Sequence, residues 1–138
     1  FKQFEAVTIM GFNHKNWNIA DLGCIAAGGL AAGIYTTSKP AAAKYIVGDC
    51  AARVAVIESK ALLDNVWAGI SEECESLKYI VVYGEKISAE DAAAWKSSHP
   101  TTELLNWDDF LALGSGTTNE QVQERLKAQQ TGNCCTLI

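Results

Sequence analysis

Apolar residues along the chain gather in short runs rich in β-branched side chains, and these alternate with longer stretches of helical spacing. Ala6-Val7-Thr8-Ile9-Met10-Gly11 predicts a first strand, and Asn16 to Gly28 an Ala-rich helix whose small side chains allow close backbone approach. Ala32 to Thr37 predicts a second strand. Ser38 and Pro40 then open a helix running to about Cys50, because proline loses nothing where first-turn amides are unpaired anyway. Arg53 to Glu58 is a third predicted strand, and Ser59 caps a helix that carries Leu62, Leu63, Val66 and Trp67 at helical spacing. Leu77 to Tyr83 is nearly all apolar, as in a strand buried on both faces.

Beyond Gly84 the rhythm changes. Ser88-Ala89-Glu90-Asp91 resembles a capping box opening a short helix through Trp95, ended by His99-Pro100. Asn106 to Leu113 predicts a second short helix holding Trp107, Phe110, Leu111 and Leu113. A third starts at Thr117 or Thr118, where Glu120 and Gln121 can close the box, and stops near Gly132-Asn133. Cys134-Cys135-Thr136-Leu137-Ile138 predicts a fifth strand. There is no internal repeat, low-complexity tract or interdomain linker.

Strand–helix–strand units of this length demand a parallel sheet, and right-handed crossovers make it a doubly wound, Rossmann-like α/β sandwich of about five strands. Ligands of such sheets sit beyond the carboxyl ends of the strands, at a topological switch point. Gly11-Phe12-Asn13, Thr36-Thr37, Glu58-Ser59 and Gly84-Glu85 fall on that edge, as does whatever would follow Ile138.

Composition narrows the class. With 138 residues, 49% hydrophobic, 20% charged and 2 prolines, the chain is expected to fold as one globular domain, residues 1–138. A formal charge of −5 speaks against a nucleic-acid partner, which needs clustered Lys and Arg. The 5 cysteines are odd in number and scattered, which reads as reduced, mostly buried thiols of a cytoplasmic protein. No apolar run reaches the length of a membrane span, and Asp21 with its glycines interrupts the nearest candidate, Ile19 to Tyr35. Phe1 at the start, a sole methionine at Met10 and an apolar run up to Ile138 suggest a piece of a longer polypeptide.

Several motifs resemble chemistry. Gly114-Ser115-Gly116-Thr117-Thr118-Asn119 has the content of a phosphate cradle, but no predicted strand precedes it, no lysine accompanies it and Asn119 replaces the third glycine. A flexible loop and helix cap is the simpler reading. Thr131-Gly132-Asn133 precedes a strand instead of following one and reads as a turn. Cys24, Cys50 and Cys74 are far apart, with no C-x-x-C pair, so no metal site is expected. Cys135-Thr136-Leu137-Ile138 fits a prenylation box, which would make the chain a lipid-anchored protein, yet it continues a predicted helix–turn–strand unit. His14 and His99 lack catalytic partners, and Glu72, Glu73 and Glu75 read as a solvated helix end. A receiver domain shares the fold but needs an acidic cluster after the first strand and an Asp at the end of the third, where this chain has Gly11-Phe12-Asn13 and Glu58-Ser59. From the residues alone, a stand-alone flavodoxin- or receiver-like binding module stays open.

Met10-Gly11-Phe12-Asn13-His14-Lys15-Asn16-Trp17 and Ala27-Gly28-Gly29-Leu30-Ala31-Ala32-Gly33-Ile34-Tyr35-Thr36-Thr37-Ser38 resemble the amino-terminal part of AMP-forming long-chain acyl-CoA synthetases of the bubblegum type. The likeness continues through Arg53 to Ser59 and Leu77 to Tyr83, covering essentially the whole chain. Cys134 to Ile138 resembles the strand leading into that family's adenylate signature, tyrosine-threonine-serine-glycine-threonine-threonine-glycine, which this chain lacks. Ser115-Gly116-Thr117-Thr118 mimics part of it in the wrong place.

The resemblance implies a fragment of a long-chain fatty-acid–CoA ligase, within the large amino-terminal domain of an adenylate-forming enzyme. Such an enzyme joins a fatty acid to ATP, giving an acyl-adenylate and pyrophosphate, and passes the acyl group to coenzyme A, with Mg2+ assisting. The groups that hold ATP and Mg2+ belong to other sequence, so no catalytic, cofactor-binding or metal residue is assigned here, and the isolated segment is expected to be inactive and to bind none of these. Its implied partners are the long-chain fatty acid of the parent, the remainder of the same polypeptide and a second copy through exposed surface. The implied compartment is the cytoplasm, the parent being open to peripheral attachment on the endoplasmic reticulum or another intracellular membrane. Gly11 to Trp17 and Tyr35 to Thr37 are the stretches placed near the ligand edge, with packing of Trp17 on the sheet and of Tyr35 at a strand end as the plainer role.

Overall fold

The computed structural model describes residues 1–67, 70 and 74–138. Its central layer is a sheet of six parallel strands: β1 (Ala6–Met10), β2 (Leu30–Ile34), β3 (Val54–Ile57), β4 (Tyr79–Val82), β5 (Glu103–Asn106) and β6 (Thr136–Leu137). Their spatial order is β5-β4-β3-β1-β2-β6. The helices are α1 (Lys15–Ala26), α2 (Pro40–Asp49), α3 (Lys60–Leu62), α4 (Ala89–Ser98), α5 (Trp107–Ala112) and α6 (Asn119–Ala128), with α3 passing into a π turn over Leu63–Trp67. The chain steps from β1 out to β2, returns across β1 to β3, and winds outward to β5 before closing on the far side of β2. The doubly wound α/β expectation holds, with six strands instead of five.

Alternation along each strand sends side chains to two separate cores. Ala6, Met10, Ala55, Ile57, Ile80 and Val82 meet α2, the π turn and α4 through Ala43, Val47, Trp67 and Trp95. Val7, Ile9, Ala31, Val54, Val56 and Val81 face the other way, onto Cys24 of α1 and Trp107 of α5. Burial on both faces is what makes these strands read as unbroken apolar runs.

Local signals set most boundaries. The Ser59 hydroxyl accepts from Leu62 N at 3.3 Å, and the Ser88 hydroxyl from Asp91 N at 3.0 Å. Thr118 and Gln121 exchange both bonds of a capping box at the start of α6, at 2.9 and 3.3 Å. Pro40 occupies the first turn of α2. α1 ends where Gly28 turns to φ +81°, a conformation that favours glycine, and Gly29 N bonds back to Cys24 O at 2.9 Å.

Several boundaries depart from expectation, among them those of α6, which ends at Ala128 and not near Gly132-Asn133, and of β6, which is Thr136–Leu137 and not all of Cys134 to Ile138. β5 was not expected at all: Glu103–Asn106 is short, buries fully only Leu104, and runs into α5 without a connection, so its residues read as loop and helix. β2 lies earlier than Ala32 to Thr37, because a turn closed by Ser38 N to Tyr35 O at 2.9 Å takes the chain out of the sheet after Ile34. α4 runs three residues past Trp95, to Ser98. Glu72 and Glu73 lie outside the described residues.

Trp67 is completely buried between the π turn and the sheet, whereas Val122 on α6 is exposed. Trp67→Ala should therefore lower the unfolding free energy by about 3–5 kcal/mol, and Val122→Ala by no more than about 0.5 kcal/mol. Urea midpoints of the two variants measure both.

Candidate functional site

The winding reverses between β1 and β3, and a crevice at their carboxyl ends would be the default ligand position. Here side chains fill it. The Glu58 carboxylate accepts from Phe12 N at 2.9 Å, and the Tyr83 hydroxyl donates to Phe12 O at 3.3 Å. Gly11 permits the approach, since a Cβ there would lie 2.8 Å from the Cβ of Glu58 and against the Tyr83 hydroxyl. Burial first, and the Glu58 carboxylate second, push the Tyr83 phenol up to about 12, which keeps it protonated as a donor. The His14 ring stacks on Tyr83 with centroids 5.3 Å apart while its Nδ1 accepts from Asn16 N at 3.1 Å, capping α1. Asn16, itself buried, reaches back to donate to Tyr83 O at 3.4 Å.

The same edge is tied off further along. Glu85 accepts from Lys60 N at 2.6 Å, fastening the loop after β4 to the start of α3. Asn106 accepts from Ile87 N at 2.7 Å and donates to Ile87 O and to Asp109, fixing the end of β5.

Space opens instead at the carboxyl ends of β1, β2 and β6, as a cleft of about 540 Å³. Gly11 to His14, Trp17 and Asn18 form one side of it, Gly33 to Thr36 the middle, and Thr136 to Ile138 the other side. Tyr35 is 83% and Phe12 69% exposed at its mouth, while Trp17 packs partly into the core beneath. Of the stretches placed on the ligand edge by sequence, Gly11 to Trp17 and Tyr35 to Thr36 thus come together. Glu58 and Glu85 became structural ties instead. Sequence reading missed the bond from Asn106 to Ile87, whose only cue is a polar residue closing a run of leucines.

The remaining motifs lie elsewhere. Helix α6, which follows Gly114-Ser115-Gly116, docks near the opposite edge, where Arg125 donates to Ala27 O at 3.1 Å and to Phe1 O at 3.0 Å. Against the expectation of mostly buried thiols, Cys24 and Cys74 are buried and Cys50 half-buried, while Cys134 and Cys135 are exposed. Thr136 and Leu137 pair with Ala31 and Ala32, so the prenylation-like tetrad is built into the sheet. His99 stacks on Trp95 at 3.9 Å beyond α4. Among the described residues, no group of three His, Cys, Asp or Glu could hold a metal, and no helix is long and apolar enough to cross a membrane.

A parallel sheet wound in both directions, with an open cleft at the carboxyl edge, defines a doubly wound α/β domain of the kind whose ligands sit at that edge. A family model described as "AMP-binding enzyme" matches residues 1–127, and the chain belongs to that family. The long-chain-fatty-acid–CoA ligase ACSBG2 of Gallus gallus is 36% identical over 137 residues, covering 99% of this chain and 17% of its own length. ACSBG1 of Homo sapiens is 31% identical over 140 residues, with 99% and 17% covered. The chain thus spans about 17% of the length of these relatives. Among solved structures, the anthranilate CoA ligase AuaEII in complex with anthranoyl-AMP aligns with a TM-score of 0.60 at 25% identity, covering 75% of this chain and 19% of that one. The A-PCP didomain of carboxylic acid reductase from Segniliparus rugosus, in complex with AMP, shares the fold with a TM-score of 0.69 at 18% identity, covering 84% and 17%.

The Tyr83 bond carries a pH signature. Its pKa is raised on folding, so its stabilisation is complete below the unfolded value of about 10 and is lost as pH climbs towards the folded value of about 12. Tyr83→Phe should flatten the loss of stability between those values, measured as thermal midpoints across an alkaline pH series.

Proposed function

We propose that residues 1–138 form a single α/β domain within the large amino-terminal domain of a longer AMP-forming long-chain fatty-acid–CoA ligase. The observation that carries this reading is the 36% identity to a ligase of that name, spread over 137 residues. The whole enzyme would use ATP, Mg2+ and coenzyme A to convert a long-chain fatty acid, through its acyl-adenylate, to the acyl-CoA thioester. Those groups do not fit this chain alone. Among the described residues no lysine or arginine lines the cleft, and no acidic cluster could hold a divalent ion. In this reading the phosphates and the metal are held by other parts of the polypeptide, and no catalytic, cofactor-binding or metal-ligating role is proposed for a residue here.

What this chain contributes is a rigid wall. Gly11 to His14 with Trp17, and Tyr35 with Thr36, line an approach to the ligand edge, held by the tie among Phe12, Glu58 and Tyr83. The filled crevice between β1 and β3 also speaks against a stand-alone flavodoxin-like module, which would need that space for its cofactor. The acidic charge, without clustering of lysine and arginine, supports a protein without a nucleic-acid partner.

Palmitate-dependent exchange of pyrophosphate into ATP should appear with the full-length polypeptide and be absent from residues 1–138. Exchange by the short chain, or none by the full-length protein with any long-chain acid, would overturn the proposal.

A further inference from the structure

On the face of the sheet that carries α1 and α5, the two helices pack over different strands. α1 packs over β1 and β2, and α5 over β4 and β5. The topology causes the gap, since α2, the π turn and α4 pack on the opposite face, leaving no crossover to lie over β3 here. Three strand spacings of about 4.8 Å separate the two helix axes by about 14 Å. The space between them is an apolar groove of about 420 Å³ with Val7, Val54 and Val56 as its floor. Its walls include Cys24, Trp107 and Phe110, and Ile19 and Leu111 stand about half exposed on its rims, at 49% and 51%.

The dimensions suit side chains of one further helix. Helices in contact lie about 8–10 Å apart, so a helix touching both α1 and α5 would ride about 5 Å outside the plane of their axes. Its backbone would stay out of the groove while one row of its side chains entered. A cavity of about 150 Å³ holds one ring-sized group, so this groove takes about three large side chains, the number that a single helical stripe at i, i+3 or i+4, and i+7 presents. One end of the groove also has a sign. Arg53 and Lys78 line it with one carboxylate, Glu5, which pairs with Arg53 at 3.4 Å. The Lys78 ammonium donates to a backbone carbonyl, Glu75 O, at 2.8 Å. That rim suits the negative carboxyl end of a helix.

We infer that the groove between α1 and α5 receives an amphipathic helix from the remainder of the same polypeptide, with its carboxyl end towards Arg53 and Lys78. The inference rests on the reading of the chain as part of a longer ligase. The relatives supply the polypeptide, since the matched region is 17% of their length. A parallel sheet needs both faces covered, and this is the uncovered part.

A photoreactive benzoylphenylalanine at position 111 of the purified full-length enzyme tests it, because Leu111 is exposed on the rim and the replacement is tolerable there. Irradiation should convert most of the protein to an internally crosslinked species of monomer mass, joined to a peptide outside residues 1–138. Links between two copies would assign the groove to a dimer, and loss of the link on adding palmitate would assign it to an acyl chain. Either result overturns the inference, as does the absence of any link. Pyrophosphate exchange on the same preparation separates the two ideas: activity without an internal link defeats the docked helix alone, and an internal link without activity defeats the ligase reading alone.

Discussion

Strand β1 is the constraint on which the rest of the architecture depends. All five of its residues are buried, and it pairs in parallel with β2 on one side and β3 on the other. A strand so placed cannot send its successor both ways at once. The winding therefore reverses beside it, α1 falls on one face, and α2 falls on the other. The crowded crevice, the open cleft and the bare strip over β3 all follow from that reversal.

The reversal also shapes the chemistry of the edge. Beyond β1 and β3, a carboxylate and a phenol hold the turn at Phe12 through its amide and its carbonyl. Each backbone group is thereby satisfied without solvent, which stiffens the wall of the neighbouring cleft. The cleft itself is lined by aromatic rings, glycines, amides and hydroxyls and is poor in formal charge. Such a lining offers ring faces and hydrogen bonds, with no lysine or arginine side chain to balance an anion.

Much of this was legible in the residues. Strands β1, β3 and β4 are apolar runs with little competing signal, and Ser59, Ser88 and Thr118 mark helix starts by a mechanism that survives any tertiary context. What stayed hidden depended on long-range pairing. Glu103–Asn106 becomes a strand because β4 offers it a free edge, and no local propensity announces that. Glu58 and Tyr83, 25 positions apart, carry no joint signature, and Glu58 stood on the ligand edge as readily as the residues that line it. Composition likewise does not separate the exposed thiols of Cys134 and Cys135 from the covered ones of Cys24, Cys50 and Cys74. The cleft was half legible, since Gly11 to Trp17 and Tyr35 to Thr37 follow strand ends, while its third side comes from β6.

β6 joins the sheet through two residues, pairing with a partner 105 positions earlier. The entropy of closing so long a loop must be met by a short ladder, the Thr136 hydroxyl bond to Ala31 O and little buried surface. The pairings among β1 to β5 join nearer neighbours and are met at a smaller closure cost than this one. The third wall of the cleft thus joins residues from opposite ends of the described chain, which ties the shape of this edge to the placing of everything between them.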